Sequence, residues 1–233
     1  MKLVILTYLL LLAFSTSVVA QQPAEPQHKL VEFHMALFKR GPQWNATETP
    51  QSKEIHAQHF AYFSSLVESG KAIIGGPLRD DGDIRGLYVL KTKTAEEARA
   101  LAEADPAVKA GQFSIEMHPW WSEEVMKKAT LPIKLQTVYL AFLTRGPNWT
   151  PERTPQTEEI QKAHLAKINR LAQTGKLVVA GPFGDNGQLR GIFVFKVASL
   201  EEAKELAATD PAVKAGRLAL DIHTWLVPEG ILP

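Results

Sequence analysis

Two histidines and two aspartates recur at matching positions in this sequence and are the strongest candidates for acid–base chemistry. His59 and His164 lie among apolar residues at helical spacing, and Asp105 and Asp210 each begin a copy of the heptapeptide Asp-Pro-Ala-Val-Lys-Ala-Gly. An imidazole exchanges protons near neutral pH, and a neighbouring carboxylate selects its tautomer and raises its basicity. A His–Asp pair in each half of the chain would therefore supply a general acid or base.

The same four residues also admit a structural interpretation. A histidine on the apolar stripe of a helix is often a core residue whose ring is hydrogen-bonded to a backbone carbonyl. An aspartate before proline is typical of a helix N-cap, with a glycine ending the short helix that follows. The occurrence of the histidine at one site in both copies favours a functional role, but both interpretations stay open.

Polar and aromatic residues on one face of a strand are candidate ligand contacts. Acid, imidazole and indole alternate with other residues near the end of each copy, so they share one face of a strand. These residues are Glu116, His118 and Trp120 in the first copy, and Asp221, His223 and Trp225 in the second. This face is expected either to line a cavity that binds a small molecule or to form the polar rim of an interface.

Arg85 and Arg190 are further candidates for ligand binding, since they follow a polar turn in each copy. A guanidinium binds a carboxylate through two parallel hydrogen bonds, which would hold an acidic substrate in one orientation. An arginine beside a turn is, however, more often solvated or paired at the surface.

Metal and cofactor sites are not predicted. His56 precedes His59 by one helical turn, but the second copy has Gln161 in place of His56. The sequence has no HExxH motif and no cysteine ligand for zinc, and it has no glycine-rich phosphate loop for a nucleotide. We therefore expect neither a metal nor a cofactor.

The composition excludes several classes of protein. Of the 233 residues, 45% are hydrophobic and 22% are charged, which is typical of a globular protein and not of a disordered one. The formal net charge of +1 provides no general attraction to nucleic acid. The absence of cysteine excludes disulfides and thiolate nucleophiles. The expected partner is a small molecule.

Residues 1–20 have the layout of a secretory signal peptide. Lys2 supplies a positive charge, residues 3–14 form an apolar run shorter than a membrane span, and cleavage is expected after Ala20. We therefore expect a periplasmic or secreted protein without membrane contact after signal cleavage. Retention of this segment as an anchor is the alternative.

The rest of the sequence is a duplication. Segments of the first copy recur at one constant offset, which relates residues 105–111 to 210–216 and Arg-Gly-Pro at 40–42 to the same tripeptide at 145–147. One offset throughout indicates two copies without a net insertion. We assign repeat 1 to residues 28–122, a connector to 123–133 and repeat 2 to 134–227, with a short helix expected over 122–130.

Each copy is predicted to contain the elements βαββαβ. The expected strands of repeat 1 are 30–38, 71–76, 84–91 and 113–121, and the expected helices are 51–68 and a second one opening at 94–97. This order is typical of a ferredoxin-like α+β unit, whose helices cover one face of the sheet. We expect the second copy to cover the other face, so that the tandem repeats pack sheet to sheet as an intramolecular pseudo-dimeric α+β barrel. A monomer of this kind could also form higher oligomers.

The combination of these motifs resembles the YCII-related domain family. The resemblance rests on the helical histidine, the following Gly-Lys and Gly-Pro, the Asp-Pro-Ala-Val-Lys-Ala-Gly segment and a closing strand with tryptophan, and it spans nearly all of both copies. It implies the dimeric α+β barrel fold and a likeness to muconolactone isomerases and chloromuconolactone dehalogenases. It also implies an active site built on His59 with Asp105 and on His164 with Asp210.

The functional hypothesis combines the resemblance with the residues. The sequence departs from the family in its predicted secretion, its two fused copies and its long loop at 41–50, so an intracellular catabolic role is not expected. We expect acid–base catalysis of the isomerase or lyase type on a small carbonyl or lactone-type compound. A non-catalytic small-molecule binding module of the cell envelope is the alternative, and a purely structural domain is a third.

Overall fold

Both repeats fold as βαββαβ units, which the computed structural model describes over residues 29–233. Repeat 1 contains β1 (Leu30–Arg40), α1 (Pro50–Glu68), β2 (Ala72–Pro77), β3 (Ile84–Leu90), α2 (Ala95–Glu103), α3 (Pro106–Lys109) and β4 (Phe113–Glu123). Repeat 2 contains β5 (Leu135–Arg145), α4 (Pro155–Gln173), β6 (Leu177–Pro182), β7 (Leu189–Phe195), α5 (Leu200–Ala208), α6 (Pro211–Lys214) and β8 (Leu218–Pro228). The predicted signal peptide, residues 1–20, lies outside the described residues.

The long helices begin and end where local capping chemistry favours it. Thr49 and Thr154 form capping boxes at the starts of α1 and α4, and proline follows each of them in the first turn. The same helices end before Gly70 and Gly175, whose φ angles are 72° and 70°. Glycine adopts this left-handed backbone without strain, so the chain turns there into the next strand.

Each repeat forms a four-stranded antiparallel sheet, in the orders β2-β3-β1-β4 and β6-β7-β5-β8. β-Bridges join Leu78 to Trp225 and Trp120 to Phe183, so the outer strands of one sheet meet the outer strands of the other. The two sheets therefore close into one barrel within a single chain. This arrangement confirms the predicted pseudo-dimeric α+β barrel.

The barrel interior is a core shared by both repeats. Phe33 and Met35 of β1 pack in one buried cluster with Leu140 and Phe142 of β5. Alternate residues of the same strands point outwards to the helices, as Phe38 does towards His59 of α1. The closed sheet thus separates a shared interior from two helix-covered outer faces, one in each repeat.

Trp120 and Trp225 belong to the shared core. Each indole is 1% exposed, and its Nε1–H donates to a backbone carbonyl of the opposite repeat, to Gly181 at 3.2 Å and to Gly76 at 3.1 Å. The structure thus corrects the placement of these two residues among ligand contacts. They lie in the interface between the repeats, with their one polar atom already bonded.

The connector between the repeats differs from its prediction. β4 continues to Glu123, and residues 124–134 contain no helix. The backbone N–H of Lys127 donates to the carbonyl of Ile231 at 2.8 Å, and Ala129 is buried. The expected helix is therefore wrong, because contacts with the C-terminal residues hold the connector in a non-helical conformation that local spacing does not reveal.

Candidate functional site

In repeat 1, His59 of α1 and Asp105 at the start of α3 are in direct contact. Nδ1 of His59 lies 2.9 Å from Oδ1 of Asp105 and 2.8 Å from Oδ2. A carboxylate only accepts hydrogen bonds, so Nδ1 carries the proton and donates it. Asp105 is fully buried, whereas the His59 side chain is 24% exposed. The imidazole therefore lies between a buried carboxylate and the protein surface.

The aspartates are helix caps as well as partners of the histidines. Oδ1 of Asp105 accepts from the N–H of Ala107 at 2.8 Å, and Oδ1 of Asp210 accepts from the N–H of Ala212 at 2.8 Å. The cap thus helps to orient each carboxylate towards its histidine. The structural and functional interpretations of these aspartates are therefore compatible.

Tyr88 of β3 is a third member of the repeat 1 site, and sequence reasoning missed it. Its hydroxyl lies 3.0 Å from Oδ2 of Asp105 and 3.1 Å from Nδ1 of His59. Burial and then the charge of Asp105 raise the pKa of Tyr88 far above its ordinary value, so the phenol stays protonated as a donor. Phe193 takes this position in repeat 2. The Tyr/Phe difference between the two repeats was the only feature of the sequence that could have pointed to Tyr88 as a site residue.

In repeat 2, His164 and Asp210 make the same contact in a more enclosed setting. Nδ1 of His164 lies 2.9 Å and 2.8 Å from the two carboxylate oxygens, and its side chain is 10% exposed. His164 also lines a cavity of about 730 Å³. Since Nδ1 is turned towards Asp210, the opposite nitrogen, Nε2, is the one available to a molecule in the cavity.

The cavity of repeat 2 combines apolar and basic walls. Its apolar side chains include Leu143, Ile160, Phe193 and Leu218. Its charged side chains are Arg153, Lys162, Arg190 and Arg217 together with Glu152 and Glu158. Apolar surface with a few polar groups is typical of sites that bind small molecules.

Arg85 and Arg190 hold the turns that precede β3 and β7. Nη1 of Arg85 donates to the carbonyl of Asp80 at 2.7 Å, and Nη1 of Arg190 donates to the carbonyl of Asp185 at 3.1 Å. The guanidinium of Arg190 also lies 5.7 Å from the ring centre of Trp149, within range of a cation–π contact. Arg190 lines the repeat 2 cavity, so it combines a structural role with access to a ligand.

His118 and His223 connect the two repeats. Nδ1 of His118 lies 2.6 Å from Oδ2 of Asp185, and Nδ1 of His223 lies 2.8 Å from Oδ2 of Asp80. Nε2 of His118 is also hydrogen-bonded to Glu116 at 3.0 Å, whereas Nε2 of His223 lies 3.1 Å from Asp221 without forming a hydrogen bond. Carboxylates of the opposite repeat therefore occupy Nδ1 of both histidines, which were predicted as ligand contacts. His118 also lines a smaller cavity of about 300 Å³ together with His34 and Arg99.

Asp80 and Asp185 have lowered pKa values as a result of these bridges. Burial opposes their ionisation, but the hydrogen bond from the facing histidine and one from a backbone N–H outweigh it. Both pKa values therefore lie below the ordinary value of 3.8. A carboxylate whose pKa falls on folding stabilises the fold above its ordinary pKa, and this stabilisation is lost as the pH falls through the folded pKa.

Replacing Asp80 and Asp185 by asparagine is expected to lower the free energy of unfolding by about 1 kcal/mol per site at neutral pH, since both groups are partly exposed. Below about pH 4 the wild type loses this advantage, so the stability curves of the two proteins should converge. Urea denaturation over a pH series measures both effects. The control is Asp83→Asn, an exposed aspartate of the same turn as Asp80. If the difference in unfolding free energy between the wild type and the asparagine variants stayed constant into strong acid, the two carboxylates would not be the source of the stabilisation.

Within residues 29–233, no group of three or more histidine, aspartate and glutamate side chains is arranged to hold a metal ion. The ring of His56 instead stacks on Phe113, at 6.3 Å between centres. None of the helices described in this range is both long and apolar enough to cross a membrane.

Sequence comparison finds the same domain twice. The family model described as the YCII-related domain matches residues 33–120 and 138–225, which include both His–Asp pairs. The chain is also 36% identical over 76 residues to "Uncharacterized protein YjpA" of Bacillus subtilis (strain 168). That match covers 31% of this chain and 87% of the relative, so the relative corresponds to about one repeat.

Solved structures share the fold across both repeats. A heme-binding protein from Thermus thermophilus matches with a TM-score of 0.52 at 13% identity, over 86% of this chain and 93% of that chain. A mutant chlorite dismutase from Candidatus Nitrospira defluvii, in complex with cyanide, matches with a TM-score of 0.54 at 13% identity, over 85% and 91%. At such identities the likeness shows the fold alone.

Proposed function

Because the chain belongs to the YCII-related domain family in both of its repeats, we propose that it is an acid–base catalyst of the isomerase or lyase type. Its substrate is a small carbonyl or lactone-type compound. The observation that carries the proposal is the imidazole of His164, which is held by the buried carboxylate of Asp210 at the wall of a cavity. The signal-like sequence of residues 1–20 supports a periplasmic or secreted location.

In the proposed step, Nε2 of His164 removes a proton from the carbon next to the substrate carbonyl. The C–H bond breaks, an N–H bond forms, and the electron pair moves onto the carbonyl oxygen as an enolate. Asp210 accepts the Nδ1–H throughout and stabilises the imidazolium that forms. Return of the same proton to a different carbon of a conjugated enolate completes an isomerisation.

Repeat 2 is proposed as the principal catalytic site. In repeat 1 the hydroxyl of Tyr88 lies 3.3 Å from Nε2 of His59, so the nitrogen opposite the carboxylate also contacts the protein. Phe193 replaces this tyrosine in repeat 2 and leaves Nε2 of His164 without that neighbour. The His59–Asp105 pair is then a second site of lower activity.

Deuterium exchange tests the proposal whatever product the reaction forms. The protein is incubated in D₂O with a panel of 2-oxo acids, ketones and lactones, and the C–H signals next to each carbonyl are followed by NMR. We expect at least one compound to exchange faster than in buffer. His164→Ala and His164→Gln should remove the acceleration, and His59→Ala should retain most of it. Unchanged exchange in both folded His164 variants would refute the proposal.

A non-catalytic ligand-binding module is the alternative, and heme is the ligand for which a specific observation exists. A histidine that ligates a metal usually donates its other ring nitrogen to a carboxylate, which is the state of His164. Arg190 and Arg217 line the same cavity and are suited to the heme propionates. A bound heme would supply redox chemistry that the side chains lack. Titration with hemin should then give a Soret shift that His164→Ala abolishes and His59→Ala preserves.

A further inference from the structure

The two repeats differ in the charges around their His–Asp pairs. Arg217 and Arg153 line the repeat 2 cavity, whereas the matching residues of repeat 1 are Gln112 and Glu48. Repeat 2 thus has two positive charges where repeat 1 has a neutral and a negative side chain. Two glutamates of the same cavity, Glu152 and Glu158, replace Thr47 and Lys53 and offset part of this difference. The duplication makes repeat 1 an internal reference for this difference.

The arginines common to both repeats also differ in their partners. In repeat 1, Oδ1 of Asp81 lies 2.7 Å from Nη2 of Arg40 and 3.9 Å from Nη1 of Arg85. Repeat 2 has Asn186 at the position of Asp81, and its carbonyl accepts from Arg145. One carboxylate therefore compensates two guanidinium groups in repeat 1, and the corresponding carboxylate is missing from repeat 2.

Arg190 and Arg217 line the cavity without a direct ion pair, although the charge of Arg190 contributes to the lowered pKa of Asp185 and two glutamates, Glu152 and Glu158, line the same cavity. Arg217 donates to the carbonyl of Thr150 at 2.9 Å, and Arg190 donates to the carbonyl of Asp185 at 3.1 Å. Neither guanidinium forms an ion pair with any carboxylate of residues 29–233. Arginine has five N–H donors, so each retains donors for a ligand.

The apolar walls also differ between the repeats. In repeat 1, Phe113 is stacked between Trp44 and His56, at 5.7 Å and 6.3 Å between ring centres, and it contacts His59 edge-on at 5.6 Å. Repeat 2 has the smaller Leu218 in place of Phe113 and lacks this aromatic stack on that side chain. The cavity wall at this position is therefore aliphatic in repeat 2, although Phe193 still stacks on His164.

We propose that the cavity of repeat 2 binds a small organic acid, whose carboxylate pairs with Arg190 and Arg217 and whose apolar part packs beside His164. Repeat 1 does not offer an equivalent site. The inference rests on the proposed function in that it names the substrate class of the same cavity. Its test is a binding measurement, which does not require turnover.

The test titrates the purified protein with acetate, benzoate and phenylpyruvate, with benzamide as the neutral analogue of benzoate. Calorimetry or ligand-observed NMR measures the dissociation constants. We expect saturable binding of at least one acid and binding of benzamide at least about tenfold weaker than that of benzoate, because a charge-assisted hydrogen bond is lost. Binding of none of the three acids, or equal binding of benzoate and benzamide, would overturn the proposal.

Matched variants locate the site. Arg217→Gln is expected to weaken acid binding about tenfold or more, and Asn186→Asp should weaken it by recreating the carboxylate of repeat 1. Asn186 is exposed, so the second variant tests the charge without disturbing a packed residue. Gln112→Ala, at the position of repeat 1 that matches Arg217, is the control and should leave binding unchanged. An equal loss in Gln112→Ala would overturn the assignment to repeat 2.

The outcome also separates this inference from the proposed function. Acid binding at repeat 2 without any deuterium exchange would uphold the acid site and refute catalysis. Exchange on a neutral lactone without acid binding would uphold catalysis and refute the acid site.

Discussion

Replacing Asp210 by asparagine is expected to slow proton transfer at repeat 2 by a factor of about 10²–10⁴ while the protein remains folded. Asparagine caps a helix about as well as aspartate, so the bond to the N–H of Ala212 and the start of α6 should survive. The amide, however, presents a donor as well as an acceptor to His164 and no longer selects one tautomer. It also carries no charge to stabilise the imidazolium.

The measurement is the exchange rate on the compound found in the D₂O screen, with its pH profile. ¹⁵N NMR of the His164 ring adds a direct readout of the tautomer, which loss of a cap alone would not alter. Asp105→Asn is the matched control in repeat 1 and should change exchange far less. If Asp210→Asn retains full exchange, the aspartate is only a cap, and the His–Asp mechanism fails.

Replacing Gly181 by alanine is expected to destabilise the barrel by about 3 kcal/mol or more, because overpacking at a rigid contact forces the backbone to move. A Cβ at Gly181 would lie 1.9 Å from the carbonyl oxygen of Trp121, where β6 meets β4 of the other repeat. It would also lie 3.1 Å from Nε1 of Trp120, whose hydrogen bond to the Gly181 carbonyl would be disturbed. For a chain of this size we expect a fall in Tm of roughly 6–12 °C.

Gly175→Ala provides the control for this prediction. Gly175 has a φ of 70°, but a Cβ there would meet nothing within 4 Å. It should cost about 1–2 kcal/mol through the left-handed backbone alone. Gly76→Ala tests the second contact between the sheets, where a Cβ would lie 1.9 Å from the carbonyl oxygen of Leu226. Because the φ of Gly76 is also 154°, this variant should be at least as destabilising as Gly181→Ala. If Gly175→Ala destabilised the protein as much as Gly181→Ala and Gly76→Ala, the close approach of the strands would not be the cause of the lost stability.

The contact between histidine and aspartate in each repeat could be predicted from the sequence, because the topology and the residue spacing both point to it. The βαββαβ order places α1 and α3 on one face of a sheet, and the spacing of His59 and Asp105 puts both near that shared face. The role of Tyr88 could not be predicted in the same way. Its strand reads as apolar, and whether its hydroxyl reaches Asp105 depends on how α1 and α3 pack over β3.

For the residues at the interface between the repeats, the sequence predicted the strand face but not the contacts. Alternation correctly placed His118 and Trp120 on one face of β4, and that face was expected to line a cavity or an interface. Their partners, Asp185 and the carbonyl of Gly181, lie in the other repeat. No local pattern specifies which residue of a distant segment will stand opposite, so the choice between the two alternatives required the closed barrel.

Local spacing accounts for the duplication, the order of strands and helices and the caps, and the expected βαββαβ topology adds the proximity of His164 and Asp210. These features depend on residues that are near each other in the chain and on the rule that a βαββαβ unit packs its helices on one face of the sheet. Packing between distant segments sets the rest: the burial of the two tryptophans in the interface, the conformation of the connector and the cavity that Arg190 and Arg217 line without a direct ion pair. Such features depend on where side chains meet after the sheet has closed, because a cavity is the space that all of the surrounding elements leave unfilled.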